Sequence, residues 1–174
     1  ILNKKNFFLN LKNNFLSENN PSIAVGVSGG PDSIALIYLM NIWIKSKKGT
    51  LVALIIDHKI RIESYGESKK IKNYLTTLNI KSKIIRVSDK KLNKRNMNEA
   101  RINRYEKLMN YCIKNNILHL FLGHHYDDNL ETFLLRKIAG SNLEGLNVMR
   151  NTSIFDDIQI VRPFLDFRKK DILL

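Results

Sequence analysis

The sequence predicts an α/β fold, a parallel five-stranded sheet with helices on both faces. Two features of the 174-residue chain carry that reading. Five short β-branched runs are apolar at successive positions, as strands buried on both faces are. Between the first four lie segments of helical periodicity at about thirty-residue spacing, the rhythm of βαβ units.

A helix opens the chain over residues 3–18, carrying Phe7, Phe8, Leu11, Phe15 and Leu16. This N-terminal helix, within residues 1–20, is expected to pack on a core domain spanning 21–174. "IAVGV" (23–27) is the first strand, followed by a helix over 32–46 whose apolar positions Ile34, Leu36, Ile37, Leu39, Met40 and Trp43 cover most of its surface. "LVALII" (51–56) is the second strand, and Ile71, Tyr74, Leu75 and Leu78 stripe an otherwise polar helix over 63–78. "KIIRV" (83–87) is the third, and 99–115 reads as a helix with Ile102, Tyr105, Leu108, Met109 and Cys112 recurring at three and four residues. "LHLFL" (118–122) and "IQIV" (158–161) complete the strands, and "KKLNKRNMN" (90–98) is the expected mobile loop. Crossovers of this kind are right-handed, so the loops that follow the strands emerge at one edge, where open α/β sheets bind ligands.

Composition excludes several classes. The longest apolar stretch, "IALIYLMNIWI" (34–44), is too short for a membrane span, and no signal peptide is visible at "ILNKKNFF". One cysteine, Cys112, excludes an internal disulfide or a CxxC pair and makes the cytoplasm the default compartment. A net charge of +13 favours a polyanionic partner, although Asn, Ile and Lys are abundant throughout, as an AT-rich coding sequence would make them. The chain lacks an initial Met and stops at "RKKDILL", where a helix has just begun, so a fragment is expected.

Three loops carry the chemistry. "SGGPDS" (28–33) lies between strand and helix, where amides at a helix N-terminus attract anions. Gly29 and Gly30 allow positive φ and close approach to a phosphate, and Pro31 suits a first helical turn. Asp32 and Ser33 could cap the helix, and Ser28 and Ser33 can donate hydroxyls to phosphate oxygens. The stretch is neither a Walker A loop nor a Rossmann fingerprint. "DHKIR" (57–61) puts Asp57 and His58 at the end of the second strand. "LGHHYDDNLETFLLRK" (122–137) turns at Gly123 and starts a helix near Tyr126, with Asp127, Asp128 and Glu131 within one turn of one another. Two histidines and three carboxylates could hold Mg²⁺, take a proton or bind a cation. H-E-x-x-H spacing is missing, so zinc fits less well than Mg²⁺ bridging phosphates.

"SGGPDS" resembles the PP-loop of N-type ATP pyrophosphatases. With "DHKIR", "NEARINRYEKL" (98–108), the third loop and "VRPFLDFRKKDI" (161–172), the order and spacing are similar to the tRNA(Ile)-lysidine synthetase family from about residue 21 onward. That resemblance implies a Rossmann-like adenine nucleotide alpha hydrolase fold. It implies ATP-dependent joining of free L-lysine to C2 of the wobble cytidine of an isoleucine tRNA with a CAU anticodon, a carbon–nitrogen ligase reaction using ATP and Mg²⁺. Ser28, Gly29, Gly30, Pro31, Asp32 and Ser33 would then hold the phosphates, with Asp32 meeting Mg²⁺. Asp57, His58, Gly123 and His124 would border the nucleotide, and Arg101 and Arg104 would lie near phosphate or substrate. Asp127, Asp128 and Glu131 would serve the lysine step, with Asp127 the first choice of base. Family members carry further C-terminal residues that contribute to tRNA binding. Both a monomer and a homodimer are compatible with the sequence.

Two rival readings are a base-thiolating PP-loop enzyme and a non-catalytic nucleotide-binding module. The first usually relies on paired cysteines, whereas Cys112 stands alone on the apolar face of a helix. The second has no need of "HHYDDNLE". Amide-forming relatives bring a glutaminase, for which 174 residues leave no room.

Overall fold

The computed structural model describes residues 2–57, 64–87, 97–138, 140 and 148–172. Its elements, in chain order, are α1 (Lys4–Asn14), β1 (Ser22–Val27), α2 (Pro31–Ser46), β2 (Thr50–Asp57), α3 (Ser64–Thr77), β3 (Lys81–Arg86), α4 (Met97–Lys114), β4 (His119–Phe121), α5 (Tyr126–Ile138), β5 (Thr152–Phe155), β6 (Ile158–Val161) and α6 (Lys169–Ile172). The strands form one sheet in the order β3-β2-β1-β4-β6-β5. All five expected strands are present and pair in parallel. A sixth, β5, pairs antiparallel to β6 through a two-residue turn in which Asp156 takes a left-handed conformation, φ 49°. Carboxamide and carboxylate residues tolerate that region better than other non-glycine residues, so "FDDI" can close a hairpin.

Alternation along the strands feeds two cores. Ile23, Val25 and Val27 of β1 and Ala53 and Ile55 of β2 face α1, α2 and α3, joining Phe7, Leu11, Leu36, Ile37, Met40 and Leu75. Ala24, Val52, Leu54 and Ile56 point the other way and meet Leu108, Met109 and Cys112 of α4. Every second residue thus finds an apolar layer, as central parallel strands require. Gly26 follows Ala24 onto the same side, where a Cβ would stand 2.8 Å from Leu122 Cδ2 and 3.7 Å from Leu108 Cδ1 of α4.

Helix α1 is shorter than its apolar pattern suggests. Asn3 caps it through Oδ1 to the Asn6 amide at 2.8 Å, and the helix ends as Phe15 becomes extended at φ −143°. That exit lets Phe15 pack edge-on against Phe121 and His119, at centroid distances of 5.1 and 4.9 Å. His119 Nε2 meets Glu18 Oε2 at 2.6 Å. Burial raises the Glu18 carboxyl, but the hydrogen bond from His119 and its charge outweigh this and leave it below the usual range. Asp166 Oδ2 accepts from Asn10 Nδ2 at 2.6 Å and Asn151 Nδ2 at 2.8 Å, and Phe7 packs edge-on against Phe164. The opening helix is therefore pinned to the last strands of the sheet.

Residues 88–96, which include most of the expected mobile loop, and His58 lie outside the described residues. Among the described residues no helix is long and apolar enough to cross a membrane.

Burial pushes the Cys112 thiol up to about 12, from an ordinary value of 9.0. The unfolded thiol ionises first, so the group's contribution to stability is constant below pH 9.0 and falls as pH rises toward 12. At pH 8 a thiol reagent should label Cys112 only once denaturant unfolds the domain; stoichiometric labelling of the folded protein would contradict this packing.

Candidate active site

Strand order reverses at β1: β2 and β3 lie on one side, β4 and β6 on the other. This is a topological switch point, the place in an open α/β sheet where a crevice forms at the carboxyl ends of the strands. The loops leaving β1 and β4 both lead into helices, so the N-termini of α2 and α5 converge there. The cleft between them has a volume of about 410 Å³ and is lined by Ser28, Gly30, Asp32 and Ser33 from the first loop and Gly123, His124, His125 and Asp128 from the second. Arg104, Tyr105 and Leu108 of α4, Ile56 of β2 and Lys169 of α6 complete its walls with Gly26 and Leu122.

Local chemistry explains the first loop. Gly29 has φ +89°, and a Cβ there would lie 2.6 Å from Ile71 Cδ1. Gly30 is the N-cap of α2, with no side-chain capping hydrogen bond. Asp32 and Ser33, read from the sequence as possible caps, do not serve in that way. Ser33 Oγ instead donates back to the Gly30 carbonyl at 2.8 Å, and Ser28 Oγ stands 3.4 Å from Ser33 Oγ. The first turn of α2 is left to an anion, with a proline at its start that has no N–H to satisfy.

The second loop is built as a reciprocal cap. His125, at the N-cap of α5, donates its backbone N–H to Asp128 Oδ2 at 2.9 Å, and the Asp128 amide donates to His125 Nδ1 at 3.3 Å. This is a capping box with histidine and aspartate in the usual Ser/Thr and Glu places. His125 is 4% exposed, and its Nε2 lies 3.8 Å from Asp32 Oδ2, so one imidazole stands between the two helix starts. The loop passes tight over α2: a Cβ on Gly123 would be 3.4 Å from Asp32 C and from Ser33 N and Cα.

The structure brings Ser28, Gly30, Asp32, Ser33, Gly123, His124, Arg104 and Asp128 to one cleft. Asp57 is buried at the end of β2 beside the cleft-lining Ile56, its carbonyl accepting from the Val87 amide at 3.0 Å. Arg101 lies on α4, its side chain outside the described residues. Asp127 and Glu131 are exposed on α5 and do not line the cleft. Asp127 Oδ2 accepts from the Lys169 amide at 2.6 Å. Chiefly for that reason its carboxyl lies below the usual range; slight desolvation opposes the shift, and His125 and Arg168 add to it. Sequence reasoning gave Tyr105 and Lys169 no place in the site, and noted His125 only as one of two adjacent histidines that could serve a cation or a proton. For Lys169 a signal existed, since "VRPFLDFRKK" follows a strand parallel to β4 and so arrives at the same edge.

Asp32 fits a divalent cation. Its Oδ1 is buried without a hydrogen-bond partner, beside an uncapped helix start that suits phosphate. Among the described residues no group of three or more His, Cys, Asp or Glu side chains could hold a metal by itself. One carboxylate shared with phosphate oxygens and water is the usual arrangement for Mg²⁺.

A glycine-turn phosphate cradle at the switch point, with a carboxylate inside it, defines a nucleotide-binding α/β domain. Residues 3–174 match the model of the PP-loop domain family, and the chain belongs to that family. It is 35% identical over 167 residues to a tRNA(Ile)-lysidine synthase of Orientia tsutsugamushi (strain Boryong), covering 96% of this chain and 38% of that protein. It is 40% identical over 167 residues to the tRNA(Ile)-lysidine synthase of Wolbachia pipientis wMel, covering 95% and 38%. The chain thus spans 38% of the length of these curated relatives. Among solved structures, the U34-tRNA thiolase NcsA from Methanococcus maripaludis, solved with its 4Fe-4S cluster, superposes with a TM-score of 0.80 at 19% identity, covering 97% of this chain and 61% of that one. That likeness is one of fold.

Replacing Gly29 by Ala would force a side chain into φ +89°, at a cost of about 1–3 kcal/mol. Ile71 Cδ1 is a flexible tip that can yield, so strain dominates. G29A should melt about 3–8 °C lower and bind ATP about tenfold more weakly; unchanged ATP affinity would mean that this loop does not hold the phosphates.

Proposed function

We propose that the chain is the ATP-handling part of a cytoplasmic enzyme that joins free lysine to the wobble cytidine of a CAU-anticodon isoleucine tRNA. The observation that carries this reading is the convergence of an uncapped PP-loop helix start with Asp128 of the second loop in one cleft. The names of the relatives, which are tRNA(Ile)-lysidine synthases, support the particular substrate.

The ATP phosphates would lie on the amides at the start of α2 and the hydroxyls of Ser28 and Ser33. Arg104 and Lys169, which also line the cleft, supply positive charge. Asp32 would hold Mg²⁺, which when bound neutralises phosphate charge. The cytosine C2 oxygen attacks the α-phosphorus, the bond to the bridging oxygen breaks, and pyrophosphate leaves with that electron pair. The side-chain amine of lysine then attacks C2, and AMP departs with the former C2 oxygen.

Lysine arrives as an ammonium ion with an ordinary pKa near 10.4, so it must lose a proton before it attacks. Asp128 suits this task better than Asp127. Asp128 lines the cleft with one carboxylate oxygen given to the His125 amide, whereas Asp127 is exposed, does not line the cleft and is held below the usual carboxylate range chiefly by the Lys169 amide. Glu131 lies one turn on and can orient the α-ammonium of lysine. The thiolation reading is less well supported, because the one cysteine of this chain is buried in the α4 core.

The test uses the full-length gene product, labelled lysine, ATP and a CAU-anticodon isoleucine tRNA transcript. Label should enter the tRNA only when the wobble base is cytidine, and Asp128→Asn should cut lysine transfer by about a hundredfold or more. Transfer to a wobble-uridine transcript, or none to the cytidine form, would refute the reading.

A further inference from the structure

Asp127 has the chemistry of a catalytic carboxylate and the contacts of something else. Its Oδ2 accepts from the backbone N–H of Lys169 at 2.6 Å, the first residue of the single-turn α6. The neighbouring Tyr126 amide donates to the Phe167 carbonyl at 3.0 Å, and His125 forms a parallel bridge with Phe164. The Arg168 guanidinium stands 5.9 Å from the centre of the Tyr126 ring. The start of α5 is therefore laced to residues 164–169 by successive contacts. At the far end of that lacing, Lys169 lines the cleft while Asp127 does not.

We propose that Asp127 is a positioning residue: by accepting the Lys169 amide it holds the 167–169 segment against the first turn of α5 and so keeps Lys169 in the wall of the ATP cleft. The amide it accepts is one of those a helix start leaves without an intrahelical partner. A latch of this kind needs an acceptor oxygen and has no need of a titrating group. A general base has the opposite requirement. Asparagine keeps the oxygen and removes the base, so one substitution separates the two roles.

This proposal rests on the reading of the cleft as an ATP site, and its test separates the two. In the full-length gene product, ATP affinity is measured by direct titration and lysine transfer by steady-state kinetics. Asp127→Ala should raise the Kd and KM for ATP about tenfold with kcat within about threefold of wild type. Asp127→Asn should recover ATP affinity to within about threefold, with an unchanged pH profile of kcat. Lys169→Met should weaken ATP to the same degree as Asp127→Ala, and the double variant should be no worse than either alone, as expected of two residues acting through one another. The latch is overturned if Asp127→Ala and Asp127→Asn both lose kcat by about a hundredfold or more, which would make Asp127 the base, or if Asp127→Ala leaves ATP affinity unchanged. A wild-type protein that binds ATP with this variant pattern but transfers no lysine would instead sink the lysine reading alone.

Discussion

The whole site depends on one close approach, that of the loop after β4 to the first turn of α2. The backbone of Gly123 runs beside that of Asp32 and Ser33, near enough that a Cβ on Gly123 would stand in van der Waals contact with both at 3.4 Å. The approach exists because β1 and β4 are neighbours at the point where the strand order reverses. Two helices that start from the carboxyl ends of adjacent parallel strands bring their positive ends together. The apolar residues of the strands serve this end indirectly. By feeding one core on each face they fix the direction in which each loop must leave.

Two positive helix ends side by side would be poorly placed without negative charge, and the sequence supplies it from within. Asp128 closes its own helix through the reciprocal cap with His125, Asp127 reaches across to α6, and Asp32 stands in the first turn of α2. His125 joins these groups, with Asp128 Oδ2 at 3.4 Å and Asp32 Oδ2 at 3.8 Å. An arriving nucleotide triphosphate would meet amides, hydroxyls, Arg104 and Lys169 in the same cleft as the carboxylates of Asp32 and Asp128. Charges of both signs in one cleft allow it to hold an anionic leaving group and a cationic nucleophile at once.

Much of this was legible in the sequence, for physical reasons. "IAVGV" and "LVALII" could only be strands buried on both faces, and "SGGPDS" between such a strand and an apolar helix could only be a tight turn that opens a helix start. Strand β5 was missed because "TSIF" is a short edge strand with two exposed residues and so carries no burial pattern. The alternative functions of Asp127 and Asp128 were not legible either. They are adjacent in sequence and both acidic, and only the path of residues 164–169, which lie some forty positions later, decides that one faces the cleft and the other a backbone amide. Local pattern cannot report such a long-range contact. The cap that His125 forms was hidden likewise, because a capping histidine departs from the usual capping residues.

The central claim is that this cleft activates its substrate by nucleotidyl transfer, which the fate of the ATP phosphates tests most directly. ATP labelled at the α-phosphorus would be incubated with the full-length gene product, free lysine and the isoleucine tRNA transcript, and the products separated. The account predicts labelled AMP with an equal amount of pyrophosphate, formed only when the tRNA carries its wobble cytidine. Labelled ADP with inorganic phosphate would contradict it, since attack would then have fallen on the γ-phosphorus.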